Sequence, residues 1–323
     1  MRNLTRILLV LVILGGLMAG LGPREPAVRT PGAAPGQTAD PAVLAAREAA
    51  LPDIVPGAEA RVVWAGEAGA VTPWSVLYLH GFSASSEEIR PVPDRVAAAL
   101  GANLVFARLP GHGRSAEAMA EATAGDWLDD TDLMLDVARA VGERVLVIGT
   151  STGGTLAAWA ATEPDMADRI AGVVLVSPNF AVADPAGVLL EWPFAAVFVP
   201  WIVGPERGFE PLNEAQATYW TERYPSIATV RLGALLRELR GRDLGTAGMP
   251  VLVLFSEADS VVSVAATRAA AARWGGPVTL APQVLPGTGV DPSAHVIAGD
   301  IVSPAMTGPV TDAILGWVAE LPR

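Results

Sequence analysis

The 323-residue chain contains no cysteine, which excludes disulfides, thiolate metal centres and a cysteine nucleophile. Lysine is missing as well, since all 22 basic residues are arginine. Schiff-base chemistry, a P-loop lysine and a Ser–Lys dyad are therefore ruled out. Histidine is confined to three well-separated positions, His80, His112 and His295. A His-rich metal site is not expected, and neither a metal nor an organic cofactor is implied. Positive charge is also scarce. The 22 arginines face 34 acidic residues, a formal net charge of −12, the wrong sign for a nucleic-acid partner. If the chain uses a histidine base, it is one of only three residues.

Long uncharged apolar runs are rare, and the clearest stands at the start. Arg2 and Arg6 precede residues 7–22, which carry no charge, the pattern of a positive n-region followed by an apolar h-region. The run is at the short edge of the roughly 17–25 residues that span a bilayer, and the arginines favour the inner side for the terminus. Cleavage after Gly20-Leu21-Gly22 would leave Pro23 first, a poor context, so a cleaved signal peptide and an uncleaved anchor (residues 1–22) both stay open. Either reading puts the rest of the chain outside the cytoplasm, exported across or anchored in the membrane, with membrane contact through residues 7–22. The absence of cysteine excludes a lipobox lipoprotein. Residues 23–51 are rich in Pro, Ala, Gly and Thr and hold no aromatic residue, so they read as a linker. No internal repeat is evident.

The remaining residues, 52–323, are long enough for one α/β domain with a substantial core. Strand-like segments at 60–64, 75–79, 104–107, 145–148, 172–176, 251–255 and 278–284 alternate with helix-like ones at 87–100, 127–141, 155–162, 264–274 and 309–321. This alternation predicts a mostly parallel sheet with helices on both faces. Near-continuous apolar strands agree with burial on both sides. The interval 178–248 breaks the rhythm. Its apolar section, 188–203, is interrupted by Glu191, Pro193 and Pro200. The prolines argue against a membrane span, and the segment reads as a helical cap inserted after the strand at 172–176, its apolar underside forming an acyl pocket.

The chemistry centres on residues 145–154. Val145-Leu146-Val147-Ile148 run into Gly149-Thr150-Ser151-Thr152-Gly153, and an alanine-rich helical segment follows. A nucleophile elbow requires this strand–turn–helix context, with glycines two positions either side of the exposed serine. In such an architecture the partners follow in the order Ser, Asp or Glu, then His. Only His295 lies downstream of Ser151, in Asp291-Pro292-Ser293-Ala294-His295, after the last strand. The acid is expected after the strand 251–255, where Asp259 is favoured and Glu257 is the fallback. Backbone N–H groups must face the developing oxyanion. Thr152, opening a helix, is expected to supply one, and Phe82 of His80-Gly81-Phe82-Ser83 the other. His80 and His112 read as structural.

The set His80-Gly81-Phe82, Pro110-Gly111-His112-Gly113, Gly149-Thr150-Ser151-Thr152-Gly153-Gly154, Asp259 and His295 resembles the α/β-hydrolase superfamily. Over about residues 64–323 the chain is similar to its bacterial carboxylesterase and monoacylglycerol-lipase group, which Asp126-Trp127 and the cap also fit. The resemblance implies an α/β-hydrolase fold and a serine hydrolase that cleaves small-molecule or lipid esters, of medium or long acyl chain or monoglyceride type, through an acyl-enzyme. Related enzymes with an Asp at the position of Ser151, dehalogenases and epoxide hydrolases, are disfavoured. Thr150 and Thr152 depart from the group, which often carries larger residues there, so its acyl preference does not carry over. Amide hydrolysis, acyl transfer and a non-catalytic binding role on the same scaffold remain open alternatives.

Overall fold

The computed structural model describes residues 16, 20–30 and 40–321. The reading of residues 1–22 as a leader therefore lies almost wholly outside the described residues. Among the described residues no helix is long and apolar enough to cross a membrane.

In chain order the elements are helix α1 (Pro41–Ala49), β1 (Arg61–Val63), β2 (Thr72–Leu79), α2 (Val92–Leu100), β3 (Asn103–Phe106), α3 (Ala116–Glu121), α4 (Ala124–Val141), β4 (Gly142–Thr150), α5 (Thr152–Ala160), α6 (Pro164–Ala167) and β5 (Ile170–Val176). There follow α7 (Ala195–Val203), β6 (Glu206–Gly208), α8 (Glu214–Tyr219), β7 (Arg223–Pro225), α9 (Ile227–Arg240), β8 (Val251–Phe255), α10 (Val264–Arg273), β9 (Val278–Pro282) and α11 (Thr307–Ala319). Seven strands form one sheet in the order β1-β3-β2-β4-β5-β8-β9. Only β1 runs antiparallel to its neighbour. This is the doubly wound architecture that the alternation predicts.

The strands' period of two divides the core. Leu77, Leu79, Val145, Val147, Val173, Leu175, Val251 and Val253 face one side, where α4, α5 and α9 pack. Val76, Tyr78, Leu146, Ile148, Val174, Val176, Leu252 and Leu254 face the other, against α2 and α11. Each such side chain contributes about 1.5–3 kcal/mol on burial, so a one-residue slip of a strand would exchange the two cores. The carboxyl ends of β2, β4 and β8 thereby converge on one edge, where the loops bearing Phe82, Ser151 and Asp259 begin.

Two expectations change. The first concerns the linker. Residues 41–49 form a helix whose Glu48 is buried and takes Arg108 Nε and Nη2 at 2.5 and 3.0 Å, along with the Ala60 N–H at 3.0 Å. Burial alone would raise the Glu48 carboxyl, but Arg108 outweighs it and holds it below its ordinary value. Residues 23–30 also engage the domain, through Arg29 with Asp132 and Asp165, and Glu25 with Arg231. Low aromatic content hid this attachment, which rests on ion pairs together with Leu44 in the main core and Ala27 packed against it.

The second concerns the cap. Helix α9 buries Leu232, Ala234, Leu235, Leu236 and Leu239 in the main core, so the cap proper ends near residue 226, before α9. It is also not purely helical, since β6 and β7 form an antiparallel ribbon. Nor do the apolar residues of 188–203 all turn inward. Ala195 and Val199 pack with Val230, whereas Val197, Trp201 and Ile202 are 63%, 88% and 68% exposed.

Candidate active site

Ser151 sits between β4 and α5 with φ 51° and ψ −113°, a left-handed conformation that costs a non-glycine residue about 1–3 kcal/mol. The surroundings enforce it. Its N–H donates to Val176 O at 3.0 Å, and its carbonyl accepts from the N–H groups of Thr155 and Asn179. The turn is tight enough that a Cβ on Gly153 would lie 1.9 Å from Leu79 O, and one on Gly149 2.4 Å from Gly153 O. Only glycine fits at either place.

His295 Nε2 lies 3.0 Å from Ser151 Oγ, and His295 Nδ1 lies 2.9 Å from Asp259 Oδ2. The Asp259 carboxylate is buried, and its other oxygen accepts the N–H groups of Val261 and Val262 at 2.8 and 2.9 Å. With Asp259 ionised, Nδ1 carries the proton and Nε2 is left free to accept from the serine. The structure thus brings Ser151, His295 and Asp259 together. Glu257 is exposed and paired with Arg268, away from this chain of hydrogen bonds, so the fallback acid drops out.

The loop of His295 is organised by Asp291, a residue to which the sequence assigns no role. Its carboxylate accepts from Ser293 N–H (2.9 Å) and Ser293 Oγ (2.6 Å), and from the N–H groups of His295 (3.2 Å) and Val296 (2.9 Å). Ser260, next to Asp259, donates N–H and hydroxyl to Ser293 O at 3.0 and 3.1 Å. The Asp-Pro-Ser signature of an Asx turn was the available signal.

On the opposite side, Gly81 approaches so closely that its Cβ would lie 3.2 Å from Ser151 Cβ. Among the described residues neither the Phe82 nor the Thr152 N–H has a backbone acceptor, and Thr152 stands at the positive end of α5. His80 braces the loop: Nδ1–H donates to Gly81 O at 2.9 Å, and Nε2 accepts Leu109 N–H at 3.1 Å. Burial holds its pKa well below the ordinary histidine value, so the ring stays neutral. Burial likewise pushes His112 down to about 4.

The Phe82 ring meets Tyr224 of β7 edge-on at 5.2 Å, with His112 and Trp127 at 5.7 and 6.1 Å. Thr221 N–H donates to Ser83 O at 2.7 Å. The cap ribbon therefore rests directly on this loop, a contact that no local pattern announces. The ensemble holds a hydroxyl within hydrogen-bond reach of an imidazole, a carboxylate on the other ring nitrogen and, among the described residues, two amides with no backbone acceptor, the kind of set that acyl transfer uses.

Residues 76–299 match the model of the alpha/beta hydrolase family. The chain is 27% identical over 191 residues to a thermostable monoacylglycerol lipase of Bacillus sp. (strain H-257), covering 59% of this chain and 72% of that protein. Among solved structures, a metagenome-derived lipolytic enzyme described with LipS and LipT superposes with TM-score 0.64 at 23% identity, over 83% of this chain and 99% of the other. The Paleococcus ferrophilus monoacylglycerol lipase gives 0.57 at 15% identity, over 82% and 100%.

Proposed function

Because the chain belongs to the alpha/beta hydrolase family, we propose that it is a serine hydrolase of carboxylic esters with Ser151, His295 and Asp259 as its triad. The observation that carries this reading is the unbroken run Ser151 Oγ–His295 Nε2 and His295 Nδ1–Asp259 Oδ2, at 3.0 and 2.9 Å. Ser151 Oγ attacks the ester carbonyl as its proton passes to His295 Nε2. The carbonyl oxygen becomes an oxyanion, met by the Phe82 and Thr152 amides. Collapse breaks the bond to the alcohol, which leaves with the proton from His295. Water then gives its proton to His295, attacks the acyl-serine and releases the acid, restoring Ser151. Asp259 fixes the tautomer and stabilises the imidazolium without taking its proton.

For the substrate we propose a medium or long acyl chain or a monoglyceride. The resemblance to monoacylglycerol lipases and the aromatic group of Phe82, Tyr224 and Trp127 beside the site support this. For location we propose export or anchoring with the hydrolase outside the cytoplasm. Arg2, Arg6 and the uncharged stretch 7–22 support that reading. So does the Pro23 carbonyl, which accepts the Phe194 N–H at 2.7 Å and so ends that stretch beside the exposed apolar helix α7. Protease protection and membrane fractionation of expressing cells test it, and full-length protein in the soluble cytoplasmic fraction would overturn it.

The activity is tested by fluorophosphonate labelling of the full-length protein beside Ser151→Ala and His295→Ala, with a p-nitrophenyl ester chain-length series. Labelling and hydrolysis should be abolished in the serine variant, with an optimum above acetate. A folded wild type that neither labels nor hydrolyses would sink the triad. Equal rates across the series would sink the acyl preference, and faster cleavage of matched amides would move the reading to an amidase.

A further inference from the structure

One buried carboxylate at the site is not used by the triad. Glu88 lies between β2 and α2, in the stretch that leaves the oxyanion loop, and is almost fully buried. Its Oε2 accepts the Gly81 N–H at 2.7 Å and the Tyr78 hydroxyl at 2.9 Å. Tyr78, on β2, also lies 3.2 Å from Thr150 Oγ1. A phenol has one proton, so with Tyr78 donating to Glu88 the Thr150 hydroxyl donates to Tyr78. Thr150 is the last residue of the nucleophile strand and Gly81 immediately precedes Phe82. A single carboxylate oxygen thus ties the residue before the nucleophile to the residue before the oxyanion donor.

We propose that Glu88 is a positioning residue for ester cleavage: as an anion it locks the oxyanion loop to the nucleophile strand, fixing the Phe82 amide relative to Ser151. The inference rests on the triad reading above. Three features support it. A Cβ on Gly81 would lie 2.5 Å from Glu88 Oε1, so the loop is seated directly on the carboxylate. Gly299 closes the other side, since its Cβ would lie 2.7 Å from Glu88 O, so the segment cannot back away. A Gln in place of Glu88 could accept the same hydrogen bonds through its amide oxygen without a charge to desolvate. An ionisable group retained in a dry site beside reacting atoms is a functional signal.

The charged neighbours define its pH behaviour. Tyr78 faces it from β2 and His295 from the loop after β9, while Glu87 beside it is held by Arg61 and Arg90. Asp300, on the segment packed against it, accepts from Thr307. Burial raises Glu88 to about 7, against the lowering effects of the Gly81 and Tyr78 hydrogen bonds and of positive charge on His295. The anion therefore forms near neutral pH. It accepts more strongly than the acid and favours the imidazolium that His295 becomes during attack.

The test is steady-state kinetics of full-length wild type, Glu88→Ala and Glu88→Gln, normalised to the sites that a fluorophosphonate titrates. Glu88→Ala should lower kcat about 10–100-fold with KM within about threefold, the pattern of an interaction realised in the transition state. Glu88→Gln should lose less than about tenfold. Its acid limb should lack the Glu88 ionisation near neutral pH, so the wild-type limb should be the steeper of the two. Unchanged kcat per titrated site in Glu88→Ala would overturn the proposal, as would identical acid limbs in wild type and Glu88→Gln. Wild type that takes no phosphonate would instead defeat the triad reading, so the two failures are distinguishable. A merely structural Glu88 would lower the titratable fraction and leave kcat per site and the pH profile untouched.

Discussion

The two loops that face each other across Ser151 are held in different ways. On the histidine side, Asp291 collects four donors from residues at most five positions further along the chain. On the oxyanion side, Glu88 and Tyr78 lie within seven residues of Gly81, but the rest of the support comes from distant parts of the sequence: Thr150 from the neighbouring strand, and Tyr224 and Thr221 from the cap above. A local brace folds with its own turn and needs little from the rest of the molecule. A brace assembled from several elements fixes a loop only when all of them are docked, so the cap bears directly on the oxyanion loop, whereas on the histidine side it reaches only flanking residues, through Asn213 to Ile301 O and Ala183 N–H to Val261 O.

The largest break in this comparison should come from Asp259→Asn, which leaves the histidine loop folded but spoils the tautomer of His295. A fall in kcat on the order of 10³–10⁴ is expected, read in single-turnover hydrolysis of a p-nitrophenyl ester. Asp291→Ala removes the local brace, and 10–100-fold lower kcat is expected, with little change in KM. Thermal unfolding should show the loss confined to the loop, as a Tm within a few degrees of wild type.

The oxyanion brace adds a prediction for stability to the rate effects expected of the Glu88 variants. A carboxyl raised from 4.5 to about 7 by burial contributes stability that is complete below its unfolded value and lost as pH rises through its folded one. Glu88→Gln has no such loss. Its stability relative to wild type should therefore rise between pH 5 and pH 8 by roughly 1–3 kcal/mol, measured by urea unfolding at both values. Tyr224→Ala, which frees the loop from the cap, should cost a few-fold in kcat and broaden acyl-chain preference in the ester series. Glu257→Gln, on the acid loop but outside the network, should change nothing beyond about twofold. A large effect there would reopen the question of which carboxylate serves His295.

The same contrast explains what the sequence could announce. All seven strands of the main sheet are legible in their own segments, the five inner ones as near-continuous apolar runs buried on both faces and the more exposed edge strands β1 and β9 as short β-favouring runs between turns. Ser151, Asp259 and His295 are marked by glycine spacing and by chain order. What escaped notice depends on pairs far apart in the chain. Glu88 looks like one more surface acid in Ser85-Ser86-Glu87-Glu88 until β2 and the 299 region close over it. Tyr224 lies in a three-residue strand too short to have a period. The apolar residues of helix α9 read equally as lid or as layer until α5 is seen beneath them.

The pairing of Glu48 with Arg108 has a practical corollary. A reader trimming the chain to its obvious domain would start at residue 52, after the Pro/Ala-rich stretch, and would thereby remove the only acidic group that Arg108 contacts among the described residues. The guanidinium would be stranded in the interior, at an expected cost of about 3–5 kcal/mol, a large share of the 5–15 kcal/mol by which a domain of this kind is folded at all. What looks like a disposable tether is a clasp, and the smallest autonomous unit of this hydrolase begins before it.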